Sequence, residues 1–306
     1  MIITRTPFRI SMFGGGTDYP GWYREHGGAV LSTTIDKYCY INARYLPPFF
    51  EHQFRVVYSQ IESTNKIEDI EHPSVRATLN FLKLQRGVEI HHDGDLPARS
   101  GMGSSSSFTV GLLNALHALK GHMATKEQLA NESITIEQDI LKENVGSQDQ
   151  VNAAYGGFNH ITFHASGEIS VRPVIIPLDR QDELTSHLML FYTGIKRTAD
   201  KVAGSYVNSL EAKRRELRIL RDMVEEALSI LCGHGPIKEF GELLHEGWLA
   251  KQAISDKISN PAIAELYNAA RESGAIGGKI TGAGGGGFML LFVPPQHQPA
   301  VREKLS

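Results

Sequence analysis

Residues 99–107 read R-S-G-M-G-S-S-S-S, and an apolar run follows at once. Glycine and serine dominate this stretch, so little side-chain bulk screens its backbone. From about Ser105 to Lys120 the pattern is helical, with Val110, Leu112, Leu113, Leu116 and Leu119 marking a buried face. A loop of tiny residues opening a helix is a ready anion site. Its N–H groups can approach phosphate oxygens, and the helix N-terminus adds partial positive charge. The competing reading is a flexible surface linker, but linkers rarely end in a strongly apolar helix. The loop is not a Walker P-loop, because G-x-x-x-x-G-K-[ST] is absent.

The 306-residue chain is long enough for two domains at roughly 150 residues each. Its net charge of −3 provides no global basic field, which argues against nucleic acid or an anionic membrane as a partner. Cys39 and Cys232 are the only cysteines, so neither a disulfide framework nor a cysteine zinc site is expected. The N-terminus lacks the apolar core of a signal peptide, and no apolar run approaches the ~18 residues that cross a bilayer. A soluble cytoplasmic protein is expected.

Strands dominate the first ninety residues, notably 29–46 and 54–59, with β-branched and aromatic enrichment. A helix is predicted over 74–87, stopped by Gly87, then a strand over 88–92. A second long helix is predicted over 126–144, a hairpin or sheet edge over 159–177 and a buried strand over 188–194. Helices are predicted from Ala199 to about Leu231 and over 241–254 and 261–274, and 277–293 reads as loop then strand. Strands mixed with helices, without strict βαβ alternation, favour an α+β class. A composition shift near 165–185 places the boundary between domains 1–170 and 171–306.

A second glycine cluster, G-A-G-G-G-G at 282–287, literally matches the dinucleotide fingerprint. That fingerprint must follow a strand and open a helix, whereas this one precedes the apolar strand F-M-L-L-F-V near the C-terminus. Its density reads instead as tight turns and close approach to a neighbouring loop or ligand.

Three segments together carry a resemblance. TPFRISMFGGGTDYPG (6–21), LPARSGMGSSSS (96–107) and KITGAGGGGFML (279–290) resemble, in order and spacing, the three motifs of the superfamily of galactokinase, homoserine kinase, mevalonate kinase and phosphomevalonate kinase (GHMP kinases). The resemblance spans essentially the whole chain. It implies an N-terminal domain like ribosomal protein S5 domain 2, a ferredoxin-like C-terminal domain, and ATP with Mg2+ as cofactors. Gly101, Gly103, Ser104, Ser105, Ser106, Gly284 and Gly285 would then surround ATP.

The segment VGSQDQVNAAYGGFNHITF resembles the galactokinase stretch that carries the catalytic aspartate, which puts that role on Asp149. Twelve residues earlier lies Glu137, where galactokinase-like enzymes have a magnesium-binding glutamate. Phosphoryl transfer needs a metal on the β- and γ-phosphates and a carboxylate orienting the attacking hydroxyl. Glu137 and Ser105 fit the demand for hard oxygen ligands, with Ser104 the nearest rival. Without the resemblance, Glu137 would read as a solvated helix residue. Asp149 would read as a first-turn acid of a helix capped by Ser147. Arg9 matches the motif arginine that pairs with the aspartate.

Galactokinase has Glu-His directly before Thr-Asp, and here those positions are Gly15 and Gly16, followed by Thr17, Asp18 and Tyr19. Asp18 can still accept hydrogen bonds from ring hydroxyls, while the glycines leave room for a longer or anionic C6 substituent. The motifs most closely resemble the D-glycero-D-manno-heptose 7-phosphate kinases, which phosphorylate the anomeric hydroxyl toward nucleotide-activated heptose. Arg197 is the preferred partner for the 7-phosphate, with Lys196, Arg99 and Lys37 as alternatives. A kinase for fucose or galactose, or a non-catalytic sensor of ATP and sugar, stays open, as does a homodimer. His91-His92-Asp93 has no second ligand cluster, His245-Glu246 lacks H-E-x-x-H, and Trp248 reads as core.

Overall fold

The structure is a computed structural model and describes residues 1–195, 204 and 207–306. Contacts divide the chain into two compact units. The first comprises Met1–Arg9, Thr34–Ala98 and Gly103–Gly157; the second comprises Ile10–Thr33, Arg99–Met102 and Phe158–Ser306. The boundary expected at 170 falls inside the last of these segments.

The first unit takes the start of β1 (Ile2–Phe13), and the second takes α1 (Pro20–His26). The long strand β2 (Gly28–Tyr45) passes from the second unit into the first. In the first unit its later half pairs antiparallel with β5 (Val88–Gly94), from Cys39↔Gly94 to Tyr45↔Val88. Strand β3 (Phe54–Val57) runs parallel to β5 and antiparallel to β4 (Ile61–Thr64). Alternation on β2 does what the pleat requires: Cys39, Ile41 and Ala43 are all fully buried.

Helices α2 (Pro73–Phe81), α3 (Ser104–Leu119), α4 (Lys126–Ile134) and α5 (Gln148–Tyr155) complete the first unit. The α3 stripe predicted from sequence is core, with Leu112, Leu113 and Leu116 fully buried. Gly111 lets α3 lie close on β1: a Cβ there would stand 2.7 Å from the Thr6 hydroxyl. Helix α2 stops before the expected Gly87, because Lys83 turns left-handed at φ 49°. The helix expected over 126–144 is α4 followed by a π-helical turn, Thr135–Ile140.

In the second unit the early half of β2 pairs with β6 (Phe158–Phe163), which pairs with β7 (Ile169–Pro173), the expected hairpin. Helix α6 (Leu178–His187) precedes a three-stranded antiparallel sheet, ordered β8 (Leu188–Tyr192), β10 (Phe288–Phe292), β9 (Gly277–Ile280). Strand β8 was expected buried. It is an edge strand, and only Met189 on it is fully withdrawn from solvent. The expected "loop then strand" at 277–293 is strand, loop, strand. Helices α7 (Arg214–Cys232), α8 (Lys238–Gln252), α9 (Pro261–Glu272) and α10 (Gln298–Leu305) complete the unit. Trp248 is core, as expected, and Phe13 meets Phe240 edge-on at 5.1 Å. Both cysteines are free, and no helix among the described residues is long and apolar enough to cross a membrane.

Candidate active site

Five polar side chains of the first unit, Arg9, Ser106, Glu137, Asp149 and Gln150, gather where α3, the π-helical turn and α5 meet. Asp149 lies in the first turn of α5, where a carboxylate complements the helix dipole. Ser147 is the N-cap, but its side chain makes no capping bond. Arg9, only 3% exposed, grips Asp149 with two bonds: Nε donates to Oδ1 at 2.8 Å and a terminal nitrogen to Oδ2 at 2.7 Å. A bidentate guanidinium–carboxylate pair fixes both position and charge. Asp149 remains a quarter exposed, so its carboxylate is held but not sealed.

Gly103 keeps the chain close to this pair. Its φ of 74° is left-handed, and a Cβ would stand 3.2 Å from Arg9 Cγ and 3.6 Å from Asp149 Oδ2. Gly103 is also the N-cap of α3, so no side chain caps that helix and its first turn carries no acid. The four serines of the first turn divide by helix phase. Ser104 is half-buried and Ser105 exposed, while Ser106 and Ser107 are buried. Ser107 donates to the Pro7 carbonyl at 2.9 Å. Ser106 donates to Glu137 Oε2 at 2.8 Å. Ser105, expected to share a metal with Glu137, faces outward, and Ser106, one step along the helix, is the serine that bonds Glu137.

Glu137 sits on the π-helical turn and is 1% exposed. Such turns recur at functional sites because they redirect a side chain. Gln150 also donates to its Oε2, at 2.5 Å, while Oε1 is buried without a hydrogen-bond partner. Burial pushes the Glu137 carboxyl up to about 8, reinforced by Glu143 and opposed by the hydroxyls of Ser106 and Thr109 and by the Gln150 amide. A buried carboxyl with one unpartnered oxygen and only neutral donors is chemically suited to a cation. A hard divalent ion fits that oxygen and reverses the shift. Sequence reasoning missed Gln150, because an amide beside an aspartate reads as ordinary helix surface.

The second unit holds Gly15 to Tyr19, Gly101, Gly284 and Gly285. Gly14 to Tyr19 form a buried turn before α1. Thr17 locks it, its hydroxyl donating to Gly14 O at 2.8 Å and its N–H to the same oxygen at 3.0 Å. The Gly16 N–H donates to Asp18 Oδ1 at 2.9 Å, and Asp18 is 1% exposed. Gly15 and Gly16 are buried within this turn, and a Cβ on Gly16 would stand 3.4 Å from Leu217.

The 282–287 loop packs backbone against backbone. A Cβ on Gly101 would stand 2.7 Å from Thr281 O, one on Gly284 2.6 Å from Ile258 O, and one on Gly287 2.1 Å from Ser100 O. Gly285 donates to Ile258 O at 2.6 Å. The neighbouring loop anticipated from glycine density is thus 99–102, joined by Ile258. Buried Lys251 donates to Gly282 O at 2.7 Å and braces the same loop. Arg99 and Lys37 are exposed, and Arg197 and Lys196 lie outside the described residues.

Two family models match the chain: the GHMP kinases N terminal domain over residues 73–157 and the GHMP kinases C terminal domain over 211–306, together more than half its length. The chain belongs to the GHMP kinase family. Membership makes it a phosphotransferase and accounts for the mixed α/β fold in two parts. Among GHMP kinases, the D-glycero-alpha-D-manno-heptose 7-phosphate kinase of Campylobacter jejuni is 28% identical, covering 96% of this chain and 90% of that protein. The L-fucokinase/L-fucose-1-P guanylyltransferase of Bacteroides fragilis is 26% identical over 97% of this chain but only 35% of that larger protein. The crystal structure of a D-glycero-D-manno-heptose 1-phosphate kinase from Bacteriodes thetaiotaomicron superposes with a TM-score of 0.79 at 23% identity, covering 100% of this chain and 92% of that one. At that identity it speaks for the fold.

Proposed function

We propose that the chain transfers the γ-phosphate of ATP to the anomeric hydroxyl of D-glycero-D-manno-heptose 7-phosphate, giving the 1,7-bisphosphate. The observation that carries the chemistry is the pairing of Arg9-held Asp149 with Glu137, whose buried Oε1 is bare. Asp149 orients the attacking hydroxyl and accepts its proton as the phosphoryl group arrives. Two bonds from Arg9 fix the orientation of its carboxylate, so alignment rather than basicity is its contribution. The uncapped first turn of α3 offers N–H groups to the phosphates. Glu137 and Ser106 would hold magnesium, which neutralises phosphate charge when bound.

The choice of sugar is supported by the Campylobacter jejuni relative and by the turn before α1. Where galactokinase carries Glu-His, Gly15 and Gly16 offer neither bulk nor charge. Asp18 is the acceptor for ring hydroxyls, and Arg197 is the proposed phosphate partner. A fucose-type kinase is the second reading, favoured by the Bacteroides fragilis relative. A coupled ADP-release assay with a panel of sugars and sugar phosphates tests the proposal. Highest kcat/KM for heptose 7-phosphate is expected. Fucose or galactose outperforming it would overturn the substrate. ATP and sugar binding without sugar-dependent ADP would mark a sensor.

A further inference from the structure

We propose that Gln150 is a positioning residue for the magnesium site, orienting Glu137 and tying it to the helix that carries Asp149; the inference rests on the kinase reading above. Gln150 is fully buried, one residue beyond Asp149 on α5. Its Nε2 donates to Glu137 Oε2 at 2.5 Å, and Ser106 donates to that same oxygen at 2.8 Å. Two donors on one oxygen pin the carboxylate plane and leave Oε1 bare. The Gln150 Oε1 is also buried without a hydrogen-bond partner. Two adjacent buried side chains, joined by one hydrogen bond, therefore each retain an oxygen without a hydrogen-bond partner, the Thr109 hydroxyl donating instead to Ser105 O at 3.1 Å. A buried acceptor left unmade is costly. Two together point to a cation with its coordinated water, which supplies positive charge to one oxygen and hydrogen-bond donors to the other.

Holding the fold together does not require this bond. Gln138, next to Glu137 on the π-helical turn, donates to both Val145 O and Ser147 Oγ at 3.1 Å. Those bonds already staple the turn to the start of α5. The Gln150–Glu137 bond is a second link between the same segments, and it acts on the carboxylate alone. Outer residues that orient a metal ligand are worth roughly 10–100-fold in affinity or activity when removed.

The test uses Gln150→Met, which keeps length and removes both amide functions. Mn2+ binding to the protein–AMPPNP complex is measured by titration, alongside the Mg2+ dependence of ADP release. The expected result is an Mn2+ dissociation constant raised about tenfold or more, with the half-saturating Mg2+ concentration rising in parallel. The KM for the sugar should hold, and metal-free AMPPNP binding should be unchanged. If Gln150→Met does not fold, Gln150→Asn, which withdraws the amide by one methylene, is expected to give the same metal defect. A folded variant with wild-type Mn2+ affinity overturns the positioning role, even if it melts earlier. Wild-type protein that binds Mn2+–AMPPNP but shows no metal-dependent transfer would instead sink the kinase reading.

Discussion

Two buried glutamates in the first unit are pushed in opposite directions. Glu89, on β5, is 4% exposed. Burial alone would raise its carboxyl. Bonds from His91, Arg44 and Arg55 outweigh that and hold it at about 2. Arg44 Nε donates at 2.5 Å and Arg55 at 2.8 Å, one to each oxygen, with His91 at 3.0 Å. Glu137 is buried more deeply, its partners are hydroxyls and an amide, and it stands at about 8. One carboxylate is completed by the chain's own cations. The other is left incomplete, at a π-helical turn, beside an Arg-held aspartate. The difference separates a glutamate paired within the sheet from one proposed to hold a metal ion.

Swapping each for glutamine should therefore have opposite consequences. Glu137→Gln is expected to lower metal-dependent turnover by roughly 10²-fold, since a neutral amide is a poor ligand for a hard cation. Glu89→Gln should leave turnover near wild type. Equal losses from both, measured as kcat under saturating substrates, would erase the distinction.

Stability should show the reverse. Glu89→Gln strands two guanidiniums, at a cost of about 2 kcal/mol. That is less than the ~3–5 kcal/mol of a sealed pair, because Arg44 and Arg55 are each more than a third exposed. A melting point lower by several degrees is expected, and an unchanged one would make the network ornamental. Glu137→Gln should not destabilise the metal-free protein at neutral pH.

The two glutamates also differ in pH dependence. Glu89 has a folded value below its ordinary 4.5, so its contribution is complete above 4.5 and fades as pH falls toward 2. Glu137 has a folded value above 4.5, so metal-free stability falls as pH rises from 4.5 toward 8. Glu137→Gln should then melt above wild type at pH 8, with the gap closing at pH 5. A gap that widens on acidification would reverse the assignment.

Much of the fold was legible. Strand β2 announced itself through β-branched and aromatic residues, and α3 began within one residue of its predicted start. Strand β9 was hidden because close packing excludes the residues that signal a strand. A Cβ on Gly277 would fall 1.9 Å from Gly241 O of α8, and one on Gly278 2.5 Å from Leu290 O of β10. The π-helical turn was illegible because its extra residue changes phase without changing composition. In the site, the resemblance led to Arg9, Glu137 and Asp149. Four identical serines gave no sign of which faces inward, and helix phase turned Ser106 to Glu137.

Phosphoryl transfer to a sugar phosphate is the reaction proposed for this site. The direct measurement is ADP release by wild type and by Asp149→Asn, with ATP, Mg2+ and D-glycero-D-manno-heptose 7-phosphate. Wild type should release ADP in response to the sugar, and the variant should lose about 10²-fold or more in turnover with ATP binding retained. Sugar-dependent turnover that survives intact in Asp149→Asn would contradict it.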